Sequence, residues 1–96
     1  MSDYVIRSGN RALFLAGLRE LVDYLTANPA VVVPRHASVV VLVDASDSVG
    51  RREGVASVAV PLDVPTGDLD QGYFDARREF GPIAYVVVAI PPEERQ

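Results

Sequence analysis

The chain has no cysteine, no lysine and no tryptophan, and its only histidine is His36. Without thiols there can be no disulfide, no zinc-thiolate site and no cysteine nucleophile, and an oxidising compartment is neither required nor excluded. Nine basic residues, all arginine, are outnumbered by thirteen acidic ones, and the net charge of -4 argues against broad attraction to nucleic acid or anionic lipid. No uncharged apolar run approaches the ~20 residues a membrane helix needs. The opening MSDYVIRSGN lacks the basic start and long apolar stretch of a signal peptide. A soluble cytoplasmic protein is expected. At 96 residues the chain is one domain, residues 1–96, long enough to bury roughly 60 to 70 per cent of its unfolded surface around one core.

What the chain does have is short, uncharged, β-branched runs. Ile83 to Ile90, IAYVVVAI, is closed by Pro91 and Pro92, and its valines are stiff at χ1, so it reads as a strand. Its odd and even positions are both apolar, and a strand points alternate side chains to opposite faces, so both faces must be covered. Ser38 to Asp44, SVVVLVD, carries the same signature and is expected beside it in the sheet interior. Gly72 to Phe80 alternates Phe74, Ala76, Arg78 and Phe80 with Tyr73, Asp75, Arg77 and Glu79; one charged face suits an edge strand. Phe74 and Phe80 are expected to feed the core, and Gly81 with Pro82 to make the turn into Ile83.

Helical periods occupy two stretches. Phe14, Leu18, Leu21, Val22 and Leu25 fall at i, i+4, i+7, i+8 and i+11, one stripe of a helix from Asn10 to Ala27, with Leu13 and Leu15 widening it. Asn10 or Ser8 can cap its first amides, and Asn28 before Pro29 stops it. Its length matches that of the final strand, which it could lie across. Ser46 to Leu62 has two readings. At period 3.6, Val49, Val55, Val58, Ala59 and Leu62 form a stripe, with Ser46 or Asp47 as cap and Arg51, Arg52 and Glu53 outside it. At period 2, Val58, Val60 and Leu62 alternate with small residues, and Gly54 weakens a helix by about 1 kcal/mol relative to alanine. The helix is favoured because the sheet needs a crossover after its first inner strand.

Residues 1 to 9 read as a flexible arm, with Tyr4, Val5 and Ile6 as a short strand or tether; Ala30 to Ala37, with Pro34, as an extended connector; and Leu62 to Gln71 as a loop. The expected fold is α+β, a single domain in the order helix, strand, helix, strand, strand. Its three-stranded mixed sheet has Ser38–Asp44 and Ile83–Ile90 inner and Gly72–Phe80 at the edge. FGPIAYVVVAIP, together with RALFLAGLRELVDYLTANP, resembles a family of small uncharacterised proteins of actinobacterial chromosomes, plasmids and phages. The resemblance covers most of the chain and is strongest at its two ends. It implies a helical middle segment, although the valine-rich, glycine-containing version here departs from that family's usual charged helix. The family has no assigned activity, so the resemblance implies no functional residues.

Three constellations invite a chemical reading. Asp44, Ser46 and Ser48 spell D-x-S-x-S after an apolar strand and resemble the metal-ion-dependent adhesion motif of von Willebrand A domains, which offers hard oxygens to magnesium. That fold is about twice this length and begins with a strand; Thr66 and Asp68 would have to complete the set. Against it, Ser46, Asp47 and Ser48 are the residues that cap a following helix. Arg77 and Arg78 with Tyr73 suggest single-stranded nucleic acid held by arginine and stacking aromatics, but Asp75 and Glu79 share the strand and neutralise it. Arg51 and Arg52 form the other basic doublet. His36 lacks any spacing to a carboxylate and a nucleophile that would select a catalytic set. Tyr24 and Tyr85 read as amphipathic caps on the core edge.

The sequence therefore reads as a non-enzymatic interaction protein. Two helices cannot hide both apolar faces of such a sheet if they share one face, and an exposed face would exceed what soluble monomers tolerate, so a homodimer is expected.

Overall fold

The computed structural model describes residues 3–70 and 72–91. Met1 and Ser2 of the expected arm, Gln71 at the end of the expected loop, and Pro92 lie outside the described residues. The elements are β1 (Val5–Ile6), α1 (Arg11–Ala27), β2 (Ala37–Asp44), α2 (Ser48–Leu62), β3 (Gly67–Asp68), β4 (Phe74–Phe80) and β5 (Ile83–Ala89). They form a single small α+β domain with one mixed sheet in the order β1-β2-β5-β4-β3. β2 and β5 are parallel and interior, with Val41 opposite Val87; β4 is antiparallel to β5, with Ala76 opposite Val87.

The expected three-stranded sheet is thus a sheet of five. β1 pairs antiparallel with β2 through Val5 and Ile6, and β3 pairs antiparallel with β4 through Gly67 and Asp68, so these two strands, not β4, are the edges. Two-residue strands are too short to show a period, which is why β3 was hidden inside the expected loop.

The middle segment is a helix. Asp47 is its cap, its carboxylate accepting from the Gly50 amide at 2.6 Å, and Asp63 ends it in the left-handed region at φ 61°. α2 buries Val55 and Ala59 against Val43 of β2, Val87 and Ala89 of β5, and Phe74 and Ala76 of β4, and this is the core. Val49, placed on the stripe by period, is exposed instead, because the buried face runs through Gly50, Arg51, Gly54 and Val55. Gly54 answers to packing rather than to propensity. A Cβ there would overlap Val43 Cγ1 and stand 3.1 Å from the Tyr4 ring, and one on Gly50 would lie 2.6 Å from the Asp3 carbonyl oxygen. The two glycines let α2 lie flat against β2 and the amino-terminal arm.

β5 is shielded only in part: Ile83 is 50% exposed, Tyr85 and Val88 are half-buried, and Val40, the β2 neighbour of Val86, is 53% exposed. Val87 and Ala89, under α2, are fully buried, and Val86 on the other flank is 9% exposed between Val40 of β2 and Arg77 of β4. Gly81, at φ 65°, supplies the positive φ that a two-residue hairpin requires between Phe80 and Ile83.

α1 is the exception to compact packing. It has no buried residue and makes at most a marginal approach to any other element, whereas α2 is packed on β4, β5 and β2. It does not lie across the sheet as its length allowed. The molecule is correspondingly drawn out, 49 × 30 × 26 Å with a radius of gyration of 15.5 Å, against about 12.5 Å for a compact domain of this length. The helix closes its own ends. The Asn10 side chain accepts from the Leu13 amide at 2.9 Å; Thr26 Oγ1 donates to the Val22 carbonyl at 2.7 Å and Asn28 Nδ2 to that of Tyr24 at 2.8 Å.

Candidate interaction surface

The D-x-S-x-S residues sit where β2 turns into α2. Asp44 is half-buried at the end of β2 and accepts a charged hydrogen bond from Arg7 Nε of the amino-terminal arm. A divalent cation at Asp44 would compete with that guanidinium. Ser46 and Ser48 are exposed, and Asp47 between them caps α2. Thr66 is half-buried just before β3, while Asp68 lies exposed with its carboxylate 3.7 Å from Arg52. Arg52 also stands over the Phe74 ring, 5.3 Å from its centre.

The Tyr73, Arg77 and Arg78 set is divided by the strand that carries it. Arg77 shares a face with Asp75 and Glu79, whereas Arg78 points to the α2 side, where Nη1 donates to the Leu62 carbonyl at 3.0 Å and the guanidinium stacks on Phe80 at 5.6 Å. Tyr73 lies in the turn before β4, its backbone closing that turn with Leu69 and Asp70. Adjacent residues in a strand face opposite ways, so the two arginines do not form one basic surface. His36 is exposed in the connector and Tyr85 is half-buried in β5.

Arg51, expected on the solvent side of α2, is buried at 7% exposure. Its Nε donates to the Gly72 carbonyl at 2.9 Å and its Nη1 to the Ala45 carbonyl at 3.2 Å, so one planar fork ties the β2–α2 turn to the loop before β4. Gly72, at φ 84°, must lack a side chain there, since a Cβ would stand 2.7 Å from Arg51 Nη2. This arginine is a structural brace. No periodicity announces it, because a buried arginine occupies an apolar position in the pattern.

The surface that the protomer leaves unsatisfied belongs to α1. Leu13, Phe14, Leu21 and Tyr24 are 72, 48, 53 and 57% exposed, and only Leu15 and Leu25 are half-buried. Between the first half of α1 and the sheet lies a cleft of about 620 Å³, walled by Phe14, Leu15 and Leu18 on one side and by Val39, Tyr85 and Ile83 on the other. Phe80, expected in the core, stands 57% exposed on the rim of this cleft, beyond the reach of α2, whereas Phe74 beneath α2 is buried as expected. Scattered apolar residues on a surface are ordinary, but a contiguous patch of this kind is not.

Comparison with protein-family models, with curated proteins and with solved structures finds no match.

Proposed function

We propose that this chain is a small interaction protein without catalytic activity that works as a homodimer, with α1 as its association surface. The observation that carries the reading is that α1 gives no side chain to the protomer's core yet exposes Leu13, Phe14, Leu21 and Tyr24. Isolated helices of about this length are marginal in water, and most helices draw their stability from packing an apolar face, which α1 does not do within one protomer. A membrane surface is the poorer occupant. The charged residues of α1 are Arg11, Arg19, Glu20 and Asp23, of balanced sign, on a chain of net charge -4, and they offer anionic lipid no attraction. No helix among the described residues is long and apolar enough to cross a membrane. The sequence resemblance adds a setting, an accessory factor of an actinobacterial phage or other mobile element.

Hydrogen exchange tests the reading. If association stabilises α1, its amides between Phe14 and Leu25 gain protection as protein concentration rises, while those of β5 change little. Protection in α1 that stays the same over a hundredfold range of concentration, with the chain monomeric throughout, would contradict it.

A further inference from the structure

The dimer reading says that α1 is covered by a second copy; how the two helices meet follows from their side chains, and this step rests on that reading. Phe14, Gly17, Leu21 and Tyr24 recur at i, i+3, i+7 and i+10, the spacing of a two-helix seam. At about 100° per residue the half-buried Leu25 lies beside Phe14 and Leu21 along this seam and the half-buried Leu15 lies well off it, while Arg19 and Asp23 fall on the opposite side of the helix. Gly17 is the anomaly. A glycine inside a helix is costly relative to alanine, and here a Cβ would meet nothing within 4 Å in the protomer, so nothing inside one copy requires it.

We infer that two copies pair through antiparallel α1 helices about a two-fold axis at the level of Arg19, with Leu21 of each copy seated over Gly17 of the other. That axis places Phe14 opposite Tyr24 of the second copy, large side chain facing aromatic ring, and Leu21 opposite the open backbone at Gly17. It overlaps the helices over their whole length, Arg11 against Ala27, and sets their macrodipoles head to tail. A parallel pair would instead stack Gly17 on Gly17, leaving a void, and Leu21 on Leu21. The seam is therefore its own complement under a two-fold rotation, which an isologous interface demands and a foreign partner does not. The exposed parts of Leu13, Phe14, Leu18, Leu21 and Tyr24 amount to roughly 500 Å², and the cleft rim at Phe80 and Ile83 brings the patch toward the ~800 Å² that each partner gives to a standard interface.

The absence of cysteine makes the test clean. Phe14→Cys and Tyr24→Cys proteins are mixed in equal amounts, oxidised and weighed by mass spectrometry. A disulfide needs Cα atoms within about 7 Å, and the two positions lie about 15 Å apart along one helix, so the antiparallel pair gives the mixed Phe14→Cys/Tyr24→Cys disulfide and almost none of either homotypic product. Gly17→Leu, read by light scattering and circular dichroism, keeps the helical signal and raises the dimer dissociation constant roughly tenfold or more by overpacking the crossing. Homotypic disulfides in the majority, or a dimeric mass with neither product and no effect of Gly17→Leu, would overturn the antiparallel pairing and leave the dimer standing. A monomeric mass for the unaltered chain would overturn both.

Discussion

Leu21→Glu is expected to convert the dimer into a folded monomer. Leu21 is 53% exposed on a helix that buries nothing in its own protomer, so the substitution costs the isolated fold little, within about 0.5 kcal/mol for an exposed site. In the dimer the same change removes two leucines from the seam and sets two carboxylates in an apolar contact. With about half of each Leu21 left to bury, the loss is about 0.8 to 1.5 kcal/mol per leucine, and with the desolvation of the two carboxylates added association weakens by about a hundredfold or more. Light scattering at tens of micromolar should then give the mass of one chain, with a circular dichroism spectrum that still shows the α2 and sheet contributions. Aggregation or unfolding of the variant would mean that α1 supports the protomer's own core.

The second large effect lies in the opposite helix. Gly54→Val should destabilise the fold by about 3 kcal/mol or more, because the new Cβ overlaps Val43, itself 1% exposed and unable to yield, and its methyls press on the Tyr4 ring. The gain in helix propensity over glycine, below 1 kcal/mol for a β-branched residue, cannot offset that. Urea denaturation in the Leu21→Glu background measures this as a unimolecular unfolding, free of the concentration dependence that a dimer imposes. A midpoint equal to that of the parent would show that α2 can lift from β2 without cost.

Much of the fold was legible because its signals are local and long. Uninterrupted apolar runs of five residues in β2, Val39 to Val43, and of eight through β5, Ile83 to Ile90, announce the inner strands, five residues on a stripe announce α1, and the need for a crossover decides for α2 between the two periods its segment allows. The rest depended on information that a pattern does not hold. A stripe says that Phe14, Leu18 and Leu21 need cover; it does not say what covers them, and α1 stands off the sheet it was long enough to cross. The two-residue strands β1 and β3 carry no period. Gly54 looked like a weakness in a helix because propensity scores a residue alone, while its role is the closeness of β2. Arg51 looked solvated for the same reason, since its carbonyl partners, Ala45 and Gly72, lie outside the helix, one in the turn before it and one 21 residues further along the chain. Of the candidate sites, the sequence grouped Arg77 with Arg78, and strand alternation separates them.

Mass in solution as a function of concentration tests the central claim most directly. Light scattering on the unaltered chain should show a mass that rises toward twice that of one chain by tens of micromolar and falls toward a single chain on dilution. A mass of one chain at every concentration, with α1 helical and its leucines in water, would contradict the account.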